Sequence, residues 1–120
     1  MVQAGAYLRR ADRLRSPRDF RRVNEQGIRA ASPNFVLLAA RPSTGSAQGC
    51  PRLGITVTRR VGNAVTRNRV KRRVRECFRR RRRELGHAID VVVIARKGAA
   101  RLEAQQVESE LVELFKGCSR

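Results

Sequence analysis

Residues 59 to 83 read RRVGNAVTRNRVKRRVRECFRRRRR, and the rest of the chain is organised around them. The stretch holds 13 of the 28 basic residues and one acid, Glu76, so 12 of the 18 net positive charges fall in 25 positions. Val70, Val74, Cys77 and Phe78, with Leu85 beyond, recur at the spacing of one helix face. Arg67, Lys71, Arg75, Arg79 and Arg82 fall on another face, with Arg72 beside them. Asn63 or Thr66 offers a side-chain oxygen to the first free backbone N–H groups, so either is a candidate N-cap. The spacing predicts a helix that docks one stripe into a core and turns a dense cationic face outward, toward a phosphate backbone.

Composition agrees with that partner. A net charge of +18 and a pI near 11.8 leave a free monomer strongly self-repelling, which is an argument for a polyanion and not for any fold. The charge is uneven: residues 103 to 120 carry four glutamates against Lys116 and Arg120, a net of −2, so the rest carries +20. The nucleic-acid surface is therefore expected in the first hundred residues, with the C-terminal segment as scaffold. The 120 residues suffice for one domain with a modest core, expected over residues 16 to 117 between a flexible basic arm (1 to 15) and a short tail (118 to 120). No apolar run of about 18 residues occurs, which excludes a spanning helix and a membrane partner. The N-terminus lacks the apolar region of a secretory signal. Cys50, Cys77 and Cys118 are odd in number and far apart, which fits a reducing cytoplasm better than a disulfide framework.

In chain order, Ser16-Pro17-Arg18-Asp19 is a helix start: serine caps, proline suits the first helical position and Asp19 meets the positive end of the dipole. That helix is expected to run to Gln26, with Phe20 and Val23 apolar and Gly27 as a left-handed stop. A short strand follows, then a firmer one over residues 34 to 41, a polar Gly/Ser/Pro connection containing Cys50, and RLGITVT from Arg52. Leu53, Ile55 and Val57 share one face of this third strand; Gly54, Thr56 and Thr58 share the other, a smooth face that something extended can approach. After the basic helix and a turn holding the single histidine, His87, residues 90 to 97 (DVVVIARK) read as a buried central strand. Gly98 makes a turn, and a helix from Glu103 to Lys116 with Val107, Leu111, Leu114 and Phe115 inward ends at Gly117. The order α-β-β-β-α-β-α places the basic helix inside a βαβ unit, by default a right-handed crossover.

No catalytic site is found in the chain itself. Nucleases need clustered carboxylates for metal ions or a histidine with a partner, and the ten acids are scattered along the chain. No metal-ligand spacing and no phosphate loop occurs, so no catalytic residue, no metal site and no small-molecule substrate is expected. Glu76, set among arginines, is expected in a salt bridge. The chain reads as a binding subunit.

The run from Arg59 to Arg72, with Gly62-Asn63-Ala64 followed by Arg67-Asn68-Arg69-Val70-Lys71-Arg72, closely resembles the signature of the bacterial ribonuclease P protein family. The resemblance extends upstream through Ser16 to Phe20, Gly27, Asn34 to Leu37 and Arg52 to Gly54, and downstream through Asp90 to Lys97. It implies an α/β (α+β) two-layer sandwich with a four-stranded sheet, ribosomal-protein-like, whose βαβ crossover is left-handed, against the default hand. It implies a protein partner of a catalytic RNA that removes the 5′ leader of precursor tRNA by magnesium-dependent hydrolysis, with the active site in the RNA. Carried over by position, Asn63, Arg67, Asn68, Arg69, Lys71, Arg72 and Arg75 would lie on the catalytic RNA. A cleft between the first helix and the sheet would hold the leader, with Phe20 and Phe35 stacking and Arg59, Arg60 and Lys97 on phosphates. Asn24 and Leu38 stand where many relatives carry aromatics, so stacking is expected to be weaker here, and the run Arg79 to Arg83 is heavier than usual. A ribosomal or other structural RNA-binding protein of similar fold is the alternative, and a nucleoid protein a more distant one.

Overall fold

The computed structural model describes residues 13–14, 16–42, 51–85 and 88–118. Most of the basic arm, the connection with Cys50, His87 and the end of the tail lie outside the described residues. The elements are α1 (Pro17–Gln26), β1 (Ile28–Ala31), β2 (Phe35–Ala40), β3 (Arg52–Thr56), α2 (Ala64–Arg81), β4 (Asp90–Ala95) and α3 (Ala104–Cys118), in the expected order. Short 3-10 helices at Arg82–Glu84 and Lys97–Arg101 extend α2 and follow β4.

The sheet runs β1-β2-β4-β3. Antiparallel pairing puts Phe35 opposite Ala95 and Ala40 opposite Asp90, whereas β3 and β4 are parallel, with Arg52 beside Asp90 and Thr56 beside Ile94. Thus β3, α2 and β4 form the βαβ unit, and β4, with strands on both sides, is the buried central strand its apolar run predicts. Side chains alternate across the pleat. Phe35, Leu37, Ala39, Leu53, Val91, Val93 and Ala95 join α2 and α3 in the main core, with Phe78 and Phe115 meeting edge to face at 6.2 Å. On the opposite face Leu38, Ala40 and Val92 pack with Val23 of α1 and Leu14, and Phe20 and Ile94 lie against them half-buried. The sandwich is therefore sheet on α2–α3, with α1 as a short helix on the other face.

The caps follow local chemistry. Ser16 accepts from the Arg18 N–H, and Asn63 accepts from the Thr66 N–H at 2.9 Å, which settles the N-cap of α2. At the start of α3 the Gln106 side chain accepts from the Glu103 N–H, half of a capping box. Two glycine expectations are corrected. Gly27 has φ −79° and ψ 155°, extended and not left-handed. Its role is space: a Cβ there would sit 2.4 Å from the Val23 carbonyl oxygen and 2.9 Å from that of Ala39. Gly117 does not stop α3, which continues to the buried Cys118. Replacing Gly27 with alanine is expected to cost about 1–3 kcal/mol, because both obstacles are backbone and α1 must lift off β2; a urea midpoint unchanged from wild type would show that helix and strand can separate freely there.

Burial pushes the Cys77 thiol up to about 12, and the Cys118 thiol is also raised, so both act as packing groups. Glu76 is exposed and makes no ion pair among the described residues, contrary to expectation. The acids that do pair lie elsewhere. Asp90, fully buried, accepts from Arg52 Nε at 2.9 Å and from Arg52 Nη2 at 2.8 Å, and also pairs with Arg22 of α1. Asp90 holds the Arg52 guanidinium more firmly protonated than usual.

Candidate nucleic-acid interface

The helix α2 presents its cations in two flanks around the buried stripe of Val70, Val74, Cys77 and Phe78. On one flank Arg69 donates to the Ala100 carbonyl at 3.2 Å and Arg73 donates to that of Leu102, so both guanidiniums brace the segment between β4 and α3. Arg80 and Arg81 continue this flank onto Glu108, at 2.8 and 2.7 Å. Arg81 beside Glu108 holds that carboxyl below the usual carboxylate range. Each of these cations therefore has at least one acceptor inside the fold.

The other flank is different. Arg67, Lys71 and Arg75 are spaced one turn apart and half-buried, and none has a hydrogen-bond or ion-pair partner among the described residues. The Nε of Arg67 is buried without an acceptor. Burial and then the charge of Arg13 lower the affinity of the Arg75 guanidinium for its proton. Asn68 and Arg72 project outward and are exposed. The candidate RNA-facing set is therefore not one face: Arg69 belongs to the braced flank, and Asn63 is engaged as the cap.

On the α1 face of the sheet, Phe20, Arg21 and Asn24 of α1 face Leu38, Thr56, Val92 and Ile94 across an open groove of about 330 Å³. This is the cleft expected between the first helix and the sheet, and Asn24 and Leu38 both line it. Phe35 does not. Its ring is fully buried on the opposite face, packed with α2 and α3, so its assignment as a stacking residue is corrected. The physical reason is register: Phe35 shares its face with Leu37 and Ala39, whereas Leu38 shares the groove face. Phe20 is half-exposed and rests on Gly54, where a Cβ would lie 2.6 Å from its Cζ. The smooth patch at Gly54 thus receives the chain's own aromatic ring, and only Thr56 of that face lines the groove.

Because β3 and β4 are parallel, their C-terminal ends share one edge of the sheet. Arg59 and Arg60 follow Thr56, and Arg96 and Lys97 follow Ile94 and Ala95, all four exposed at the end where Thr56 and Ile94 line the groove. Asn34 holds this end together. Its side-chain N–H donates to Glu110 at 2.6 Å, and its Oδ1 occupies the space where a Gly98 Cβ would sit.

Arg13, Arg21 and the trio of Arg22, Arg52 and Asp90 carry no local sequence signal as site residues, because their neighbours come from distant parts of the chain. Among the described residues no group of three or more His, Cys, Asp and Glu converges, and no helix is long and apolar enough to cross a membrane.

The chain matches the family described as Ribonuclease P over residues 8–119. It is 36% identical over 109 residues to the ribonuclease P protein component of Brevibacillus brevis, covering 91% of this chain and 84% of that protein. It is 41% identical over 103 residues to that of Desulfatibacillum aliphaticivorans, covering 86% and 84%. Among solved structures, the Staphylococcus aureus RNase P protein superposes with a TM-score of 0.78 at 32% identity, covering 88% of this chain and 93% of that one. The Thermotoga maritima RNase P protein superposes at 0.77 and 36%, covering 88% and 96%.

Proposed function

The chain belongs to the ribonuclease P protein family, and from that premise we propose how its two cationic surfaces serve the reaction. It is the protein subunit of a ribonucleoprotein endoribonuclease that matures the 5′ end of tRNA; the subunit itself is non-catalytic and assists the RNA. Its partner is the ribonuclease P RNA.

The open flank and outward side of α2, Arg67, Asn68, Lys71, Arg72 and Arg75, lie against that RNA. What supports this is the contrast between the flanks: Arg69, Arg73, Arg80 and Arg81 each have an acceptor inside the fold, whereas Arg67, Lys71 and Arg75 have none among the described residues. Arginine suits the role because its planar fork bridges two phosphate oxygens. Asn63 and Arg69 act through the fold, the first by starting α2 and the second by bracing residues 100 to 102.

The groove between α1 and the sheet receives the single-stranded leader of precursor tRNA. Phe20 supplies the one aromatic face there among the described residues, and Arg21, Arg59, Arg60 and Lys97 meet phosphates at its rim. With Asn24 and Leu38 in the groove, charge carries more of this contact than stacking does. Replacing Phe20 with alanine is expected to weaken precursor binding by about 1–3 kcal/mol, the range for one stacked base, while mature tRNA binding and assembly with the RNA stay near wild type. Loss of assembly would instead mean that Phe20 chiefly fills Gly54.

Magnesium serves the holoenzyme, whose active site lies in the RNA. On this chain Asp90 is engaged with Arg22 and Arg52, Glu108 with Arg80 and Arg81, and Glu110 with Ser32 and Asn34. The test of the whole reading is to add the purified chain to a bacterial ribonuclease P RNA at low magnesium. Restored cleavage of precursor tRNA supports it; RNA retention without cleavage would identify a structural RNA-binding protein instead.

A further inference from the structure

A second depression lies across Phe20 from the groove, at the outer edge of β3. It has a volume of about 200 Å³ and is lined by Arg13, Leu14, Phe20, Leu53, Ile55, Lys71 and Arg75. We propose that Arg13, Lys71 and Arg75 form a seat for a single RNA phosphate at this edge. The proposal rests on the reading of the chain as the RNA-binding subunit of ribonuclease P.

Three observations carry it. First, the cations come from two separate parts of the chain, Arg13 ahead of α1 and Lys71 and Arg75 one turn apart on α2, and among the described residues no carboxylate lines the depression. Arg13 is held in place by the backbone: it bridges Leu53 in parallel fashion, and the next residue, Leu14, donates its N–H to the Leu53 carbonyl at 2.8 Å while its side chain is buried. Second, six other arginines are given acceptors inside the fold: Arg22 and Arg52 have Asp90, Arg69 and Arg73 have carbonyls, Arg80 and Arg81 have Glu108. Arg13, Lys71 and Arg75 have none among the described residues. Third, Arg13 and Arg75 are close enough for the charge of one to disfavour the charge of the other. Gathering three like charges in a partly dry recess is unfavourable until an anion enters, and a phosphate offers each of them an oxygen. Phe20 is the shared wall, so a strand leaving the groove would pass its ring edge before reaching the seat.

The phosphate could come from the leader or from the catalytic RNA, and the test separates them. Arg13→Gln, Arg75→Gln and the double variant are compared with Arg29→Gln, an exposed control on β1 at the opposite edge of the sheet. Binding of the full chain to the catalytic RNA, and of precursor and mature tRNA to the assembled holoenzyme, is measured across salt concentration. Each single change is expected to weaken one of these steps roughly three- to tenfold. Each should reduce the slope of log affinity against log salt by about 1, and the double change should add little, because the same phosphate is lost. A loss confined to assembly identifies the catalytic RNA as the source; a loss with precursor but not mature tRNA identifies the leader. Unaltered slopes in both steps, or fully additive losses, would overturn the seat. Independently of any RNA, titrating the full chain with inorganic phosphate should shift the Arg13 and Arg75 side-chain resonances more than those of Arg29. Equal shifts at all three would also overturn it. If the wild-type chain failed to support cleavage, the family function would fall while the phosphate titration still decided the seat.

Discussion

Replacing Arg67, Lys71 and Arg72 together with glutamine is expected to lower affinity for the catalytic RNA by about two orders of magnitude near physiological salt, with the fold intact. The magnitude comes from counterion release. Each lost phosphate contact removes about 0.9 from the slope of log affinity against log salt, so three remove about 2.7, which between 1 M and 0.15 M salt amounts to about 2.2 log units. The fold should survive because none of the three side chains has a partner inside it among the described residues, and glutamine keeps much of the aliphatic packing. Arg69 is left out on structural grounds. Its guanidinium is on the Ala100 carbonyl, so Arg69→Gln is a substitution in the scaffold and should lower the denaturation midpoint more than the salt slope. Filter binding across a salt series decides the matter. A slope unchanged in the triple variant would place the RNA on another surface.

Asp90→Ala is expected to destabilise the chain by about 3 kcal/mol, the lower end for removing one partner of a buried ion pair. The carboxylate is fully buried and answers two guanidiniums, so its loss leaves both charges without their acceptor. The lower end applies because the Arg22 and Arg52 side chains keep 16% and 19% exposure and can still reach water. Asp90→Asn, which retains shape and one acceptor, should cost less. The measurement is the urea midpoint with its slope. A change below about 1 kcal/mol would mean that apolar packing of Val23 alone holds α1. A functional consequence follows from position: Arg22 ties α1 to β4, and α1 forms one wall of the groove, so precursor binding should fall in this variant before catalytic-RNA binding does.

The elements themselves were legible because each rests on local chemistry. The Ser16-Pro17 start, the alternation from Leu53 to Thr56, the unbroken apolar run of β4 and the 3.6-residue stripe of α2 all express pairings within a few residues. The family signature likewise lies in one contiguous run. Phe35 shows where this kind of reading ends. All six residues of β2 are buried, so the strand has no polar face to mark its direction. A period of two says that Phe35 and Leu37 agree and Leu38 differs, but not which face meets α1. Arg69 fails for a related reason: helical spacing sets its angle around α2, but the carbonyl that takes it belongs to a segment about thirty residues away. Gly27 is a required glycine for a different reason than expected, since the constraint comes from the Val23 carbonyl of α1 and the Ala39 carbonyl of the neighbouring strand and not from its own backbone angles.

By itself the amino-acid order determined that this chain is a basic α/β domain, built around a cationic helix, that binds RNA and lacks the groups to cut it. Charge, periodicity and short motifs are properties of neighbours along the chain, and they suffice for that much. Only the folded arrangement decided which cations are spent internally and which remain open, that Phe20 and not Phe35 faces the groove, and that Arg13 comes to lie beside Lys71 and Arg75. Those outcomes depend on which distant backbone or carboxylate comes within hydrogen-bonding reach, a distance that no local pattern encodes.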